Sequence, residues 1–205
     1  MTLDPLLWLA LGAVAGVFVS GRWNRAAFAW IAPVFLLLYA HAVPPLPAAL
    51  GIWAAVTVAT ALSHWRVVPV PALAYPLVVA LLTLPFVIPY LVDRWLAPQL
   101  PGLVGTLVFP LAWVAGEYLG ARLNPFGTWG ALAYTQAGNR LLVQLVAATG
   151  IWGVPFLIAW FASLVAWAVR RDFAWSAVGG GVLLYAGVVL AVIAYGYWRI
   201  RWKPA

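Results

Sequence analysis

Leu103–Leu123 reads LVGTLVFPLAWVAGEYLGARL, a run of hydrocarbon and small side chains interrupted by one carboxylate, Glu117, and one arginine, Arg122. An α-helix needs about 20 predominantly apolar residues to cross the bilayer's hydrocarbon core, and this run has that length. The same criterion, carried outward, finds six further runs: Leu3–Ser20, Phe28–Val43, Leu46–Leu62, Leu73–Leu91, Leu141–Val169 and Trp175–Trp198. The connectors between them are short and hold the turn and charge signals: GRWNR, PPLP, SHWRVVPVP, VDRWLAPQLPG, NPFGTWG and RRD. The expected fold is therefore all-α, an integral membrane protein of about seven transmembrane helices, with one membrane domain filling residues 1–205.

Composition agrees. The chain is 66% hydrophobic and only 7% charged, with a mean hydropathy of +1.02, whereas soluble domains carry roughly 25% charged residues. Absence of cysteine excludes disulfides, thiolate metal sites and a cysteine nucleophile. Two histidines, His41 and His64, and four scattered acidic residues make a metal cage or a resident cofactor improbable. The net charge of +7 comes from arginines at segment ends and a terminal cluster, Arg199, Arg201 and Lys203. In a membrane protein such charges meet lipid headgroups, not nucleic acid. Fourteen tryptophans suit the bilayer interface. The N-terminus lacks a basic n-region and a small-residue cleavage site, so Leu3–Ser20 reads as a retained helix.

Breaks in the helices are legible from proline and glycine. Pro44, Pro45 and Pro47 separate the second and third runs, because proline cannot continue the backbone ladder. Pro76, Pro85 and Pro89 interrupt the fourth, and Pro110 the fifth. The sixth is too long for one straight span, and Gly150, Gly153 and Pro155 divide it into a short entry segment, Leu141–Thr149, and a spanning helix, Ile151–Val169.

Glu117 is the only glutamate. An ionisable group at membrane depth costs several kcal/mol or more unless it is paired or wet. The densest polar sequence follows it, from Glu117 to Arg140. On a continuous helix Glu117 and Arg122 lie about 140° apart around the axis, so they are not a favourable i,i+4 pair. Asn124-Pro125 ends the helix. Gly127 and Gly130 then give a loop around Trp129, followed by Tyr134, Gln136, Asn139 and Arg140. Non-helical polar backbone is tolerated in a bilayer only where it is buried in protein or lines a cavity. Three roles stay open for Glu117: a clamp bonded to a neighbouring helix's backbone or to Tyr118, Thr128 or Thr135; a contact to substrate or headgroup; and proton transfer. Trp129 and Tyr134 read as interface aromatics or as a ligand platform, and Gln144 as a hydrogen bond between helices. His41 and His64 receive no role.

From Pro110 to Phe161 the order of residues resembles the membrane domain of bacterial apolipoprotein N-acyltransferases. Pro110, Trp113 and Glu117 match that family's P-x-x-W-x-x-x-E helix, and Pro125 to Trp129 its aromatic turn. Trp129, Tyr134 and Gln136 keep its spacing. Gln144-Leu145 and then Gly150, Gly153, Phe156 and Leu157 follow in order, and Tyr195-Gly196-Tyr197-Trp198-Arg199 extends the likeness loosely to the end. Two departures stand out. Gly120 lies where the family usually has arginine, with Arg122 as a shifted substitute. The chain also stops where the family's nitrilase-like domain, with its cysteine nucleophile, glutamate base and lysine, is expected to begin.

The resemblance implies a full enzyme of the bacterial inner membrane that moves an acyl chain from phospholipid to the N-terminal cysteine of a lipoprotein. This chain would anchor that enzyme and supply a cavity for acyl chains. No catalytic residue is assigned here; Glu117, Arg122, Trp129, Tyr134, Gln136 and Arg140 are the expected lipid- or substrate-binding set. Expected partners are phospholipid, lipoprotein acyl chains and a separate nitrilase-like chain. The rival reading is a small transporter or lipid-binding membrane protein, since broken helices around a buried carboxylate serve such proteins too. Orientation has two opposed signals. Counting Arg22, Arg25, Arg66, Arg122, Arg140, Arg199, Arg201 and Lys203 on one side, against Arg94, Arg170 and Arg171, puts the C-terminus in the cytoplasm by the positive-inside rule. The resemblance puts it outside, and that is the orientation expected here.

Overall fold

The computed structural model describes residues 4–67, 69–123 and 125–202. Leu3 at the start of the first expected helix, Asn124 at the expected break and Lys203 in the terminal basic cluster lie outside the described residues. Among the described residues every regular element is a helix, and no strand occurs. The helices are α1 (Pro5–Val17), α2 (Ala26–Ala42), α3 (Pro45–Ser63), α4 (Tyr75–Thr83), α5 (Ile88–Leu96), α6 (Gly102–Gly105), α7 (Val108–Leu123), α8 (Val146–Thr149), α9 (Gly153–Arg170) and α10 (Trp175–Trp202). Five helical runs are long and apolar enough to cross a membrane: Pro45–Ser63, Tyr75–Gln99, Gly102–Leu123, Leu142–Arg170 and Trp175–Trp202. Helices α1 and α2 are apolar but shorter, at 13 and 17 residues.

Local chemistry sets the helix ends. Asp4 caps α1 by accepting the Leu6 amide at 2.9 Å, and Pro5 occupies the first helical position, where no amide bond is lost. The fourth run does not stop at Leu91. After a 3-10 turn at Leu84–Val87, α5 carries it through Asp93 and Arg94, residues expected in a connector. Asp93 tolerates this place because His41 Nε2 meets its Oδ2 at 2.8 Å, although Asp93 is only 1% exposed. Pro110 falls in the first turn of α7, where its missing amide leaves no gap in the ladder. The sixth run is broken as expected: 3-10 and α8 turns over Leu142–Thr149, a left-handed Gly150 at φ 63°, then α9 from Gly153.

Helix α9 forms the centre, packed against α2 and α7, and its Val154, Ile158 and Ala162 are fully enclosed. Helix α1 lies against α2 and α3. A Cβ at Gly12 would sit 2.5 Å from Leu36 Cδ2 and one at Gly16 3.0 Å from Ala59 Cβ, so this small-xxx-small pair admits the close approach. Large apolar side chains such as Leu46, Leu77, Leu111 and Leu190 remain exposed on the outside of the bundle, where hydrocarbon is the solvent that suits them.

Candidate functional site

Glu117 lies in the C-terminal half of α7, and both ends of its environment are built locally. One turn earlier, Trp113 turns its indole N–H onto Glu117 Oε1 at 3.0 Å. From the loop beyond α7, the Leu132 backbone N–H donates to the same oxygen at 2.8 Å. The carboxylate thus ties the return of the polar loop to the helix it left. This is the backbone clamp among the roles left open by the sequence, although the partner is Leu132 and not Tyr118, Thr128 or Thr135. The second oxygen, Oε2, is buried with no hydrogen-bond partner.

Glu117 also lines a cavity of about 120 Å³ whose walls come mainly from small and apolar residues of α1, α2 and α3, including Gly12, Gly16, Ala55 and Ala59. Trp113, Leu132 and Thr135 close it on the loop side. A carboxylate set among such walls is the arrangement by which a membrane protein meets one polar group on an otherwise apolar ligand.

The loop is shaped by its glycines. Gly127 and Gly130 adopt φ of 58° and 84°, a left-handed conformation that a side chain would strain. Between them Trp129, 57% exposed, packs edge-to-face on His64 at 6.2 Å. Burial pushes the His64 imidazole below its usual range, an effect opposed by its bond to the Thr60 carbonyl. Tyr134 is likewise half exposed, its hydroxyl 2.8 Å from Thr128 Oγ1.

The other expected residues separate into two groups. Arg122 points away from Glu117 and lies over Tyr118, its guanidinium 5.5 Å from the ring centroid and its Nη2 3.2 Å from the hydroxyl. Arg140 is exposed at the same end of the bundle, where Gln144 donates to its carbonyl. Gln136 is enclosed: at 2% exposure it donates to the Ala26 carbonyl at 2.9 Å and so ties the loop to the start of α2. Gln144 makes the expected bond between helices, accepting from Arg199 Nε of α10 at 3.1 Å. Sequence reading missed the His41–Asp93 pair at the opposite end, because its members are far apart in the chain and each borders a proline-rich turn. Among the described residues no His, Asp or Glu cluster can hold a metal ion.

Fold and site together define an all-α membrane protein in which a buried carboxylate clamps a polar loop beside an apolar cavity. The chain belongs to the apolipoprotein N-acyltransferase N-terminal domain family, whose sequence model matches residues 11–164. It is similar to the apolipoprotein N-acyltransferase of Geobacter metallireducens, 36% identical over 121 residues that make up 57% of this chain. The match spans only 22% of that relative's length. No solved structure matches the chain.

Proposed function

We propose that this chain is the membrane part of an apolipoprotein N-acyltransferase-like protein of the bacterial inner membrane. It anchors the activity and holds a lipid acyl chain, while the full protein transfers that chain from phospholipid to a lipoprotein N-terminus. The observation that supports this most is Glu117: one oxygen clamps Leu132 and Trp113, and the other is left without a partner in a residue that lines an apolar cavity. In this reading the acyl chain lies among the small residues of α1 and α3. Arg122 and Arg140 attract the phosphate, and Trp129 and Tyr134 border the headgroup. Gln136 serves indirectly, by fixing the loop to α2.

Acyl transfer through a thioester needs a thiolate beside a base, and these 205 residues contain no cysteine. The nucleophile therefore comes from outside them. Two measurements test the proposal. Native mass spectrometry of Glu117→Gln should show less co-purified phospholipid than the parent protein, with the fold intact; equal lipid retention removes the cavity role. Acyl transfer by these residues alone should be undetectable, and turnover there would overturn the division of labour.

A further inference from the structure

A second cavity, of about 230 Å³, lies at the other end of the bundle. Its walls include Gly105 and Thr106, before the start of α7, and Ser163, Trp167, Arg170 and Arg171 toward the end of α9, with the chain between α5 and α6 completing them. Glu117 lies along α7 toward the opposite end, so the two cavities are separate.

Hydroxyls and charges there are not equally engaged. Thr106 Oγ1 donates to the Leu103 carbonyl at 2.7 Å and accepts the Trp160 indole N–H at 3.1 Å. Ser163 is only 3% exposed, yet its hydroxyl has no partner among the described residues. Ser163 lines the cavity, so this hydroxyl is open to a ligand placed there. Arg170 uses Nε on the Ala166 carbonyl at 3.3 Å, which leaves its two terminal nitrogens for a ligand. Arg171 follows it on the exposed rim, and the two like charges act against each other. Asp93, bonded to His41 through Oδ2, attracts Arg170 without forming a salt bridge among the described residues. An anion between the guanidiniums would relieve their repulsion and accept a hydrogen bond from the Ser163 hydroxyl. Phosphate oxygens suit this donor set, because guanidinium forks bind them two at a time.

We propose that this cavity is a binding site for a phosphate group, held by Arg170, Arg171 and the Ser163 hydroxyl, at the membrane face opposite the Glu117 loop. A lipid headgroup and a free phosphate offer the same chemistry.

The test uses the full chain, stripped of lipid, in maltoside micelles that contain no phosphate. Inorganic phosphate and short-chain phosphatidate are titrated separately, with binding read by calorimetry. Saturable binding is expected for at least one probe. Phosphatidate binding at least about tenfold tighter would identify the lipid source, and equal affinities the free ion. Ser163→Ala should weaken binding about fivefold and Arg171→Gln about tenfold, the scale of one lost hydrogen bond. Arg170→Lys, which keeps the charge but loses the fork, should also weaken it. Arg25→Gln, an equal loss of charge at the far end, should leave affinity unchanged. Ser163 has no bond to lose and Arg171 is exposed, so both variants keep the fold. Three results would overturn the site: no saturable binding of either probe, equal losses in Arg25→Gln and Arg171→Gln, or an unaltered affinity in Ser163→Ala.

Discussion

At the scale of single residues, Glu117 does two jobs with two oxygens, and substitutions separate them. Glu117→Ala removes the acceptor of both the Leu132 amide and the Trp113 indole. Buried donors left unpaired cost about 1–3 kcal/mol each, but hydrogen bonds in membrane proteins average only about 0.6 kcal/mol because the denatured state finds other partners. A loss of about 2 kcal/mol is therefore expected for Glu117→Ala, measured by unfolding in mixed micelles. Glu117→Gln keeps a carbonyl oxygen for the clamp and should lose less than about 1 kcal/mol. Equal losses in the two variants would mean that the charge, and not the acceptor geometry, holds the loop. Sequence alone singled out Glu117, since a lone carboxylate in an apolar run is conspicuous. It could not identify Leu132 as the partner, because a bond to a backbone amide leaves no mark in the side-chain pattern. Gln136 shows the same gap: its composition suits a headgroup contact, but its amide is directed to the Ala26 carbonyl.

Among the elements, the interrupted fourth run shows how broken helices stay satisfied in a bilayer. Pro85 brings no amide to the ladder, and Leu84 turns its own N–H to the Leu81 carbonyl in a tighter 3-10 bond. The Ala80 carbonyl then accepts the Trp53 indole N–H of α3 at 2.9 Å and, more weakly, the Thr83 hydroxyl at 3.2 Å. Alongside, Thr57 of α3 meets Thr83 at 2.7 Å. The break is thus stitched to α3 by a neighbour's side chains, the usual way a freed carbonyl is satisfied at membrane depth. Trp53→Phe keeps the ring and deletes only the donor. It should cost about 0.5–1.5 kcal/mol, and no change in the unfolding midpoint would show that the Thr83 hydroxyl satisfies the Ala80 carbonyl by itself. The prolines announced this break in the sequence. The continuation through Asp93 was hidden, because a charged residue reads as a connector until its partner, His41, is brought beside it by the packing of α2 on α5.

For the whole molecule the open question is which way the bundle faces. Contacts between Gly21 and Ser63, Gln136 and Ala26, and Arg199 and Gln144 gather the Glu117 end. Arg22, Arg25, Arg66, Arg122, Arg140, Arg199 and Arg201 lie there, while the other end mixes Arg94, Arg170 and Arg171 with Asp4, Asp93 and Asp172. Counted as loop charge, this asymmetry puts the Glu117 end in the cytoplasm. Several of these arginines, however, are bound into the protein: Arg22 to the Trp65 carbonyl, Arg122 to Tyr118 and Arg199 to Gln144. Charges engaged in this way are weak topology signals, so the expected orientation remains the one implied by the family, with the Glu117 end outside. The absence of cysteine makes the test clean. Gly138→Cys sits on the exposed loop with open space around it, and Ala174→Cys on the exposed turn at the other end. In intact spheroplasts a membrane-impermeant maleimide should label Gly138→Cys and spare Ala174→Cys until the membrane is opened. The reverse pattern would put the cavity beside Glu117 on the cytoplasmic face and overturn the expected orientation.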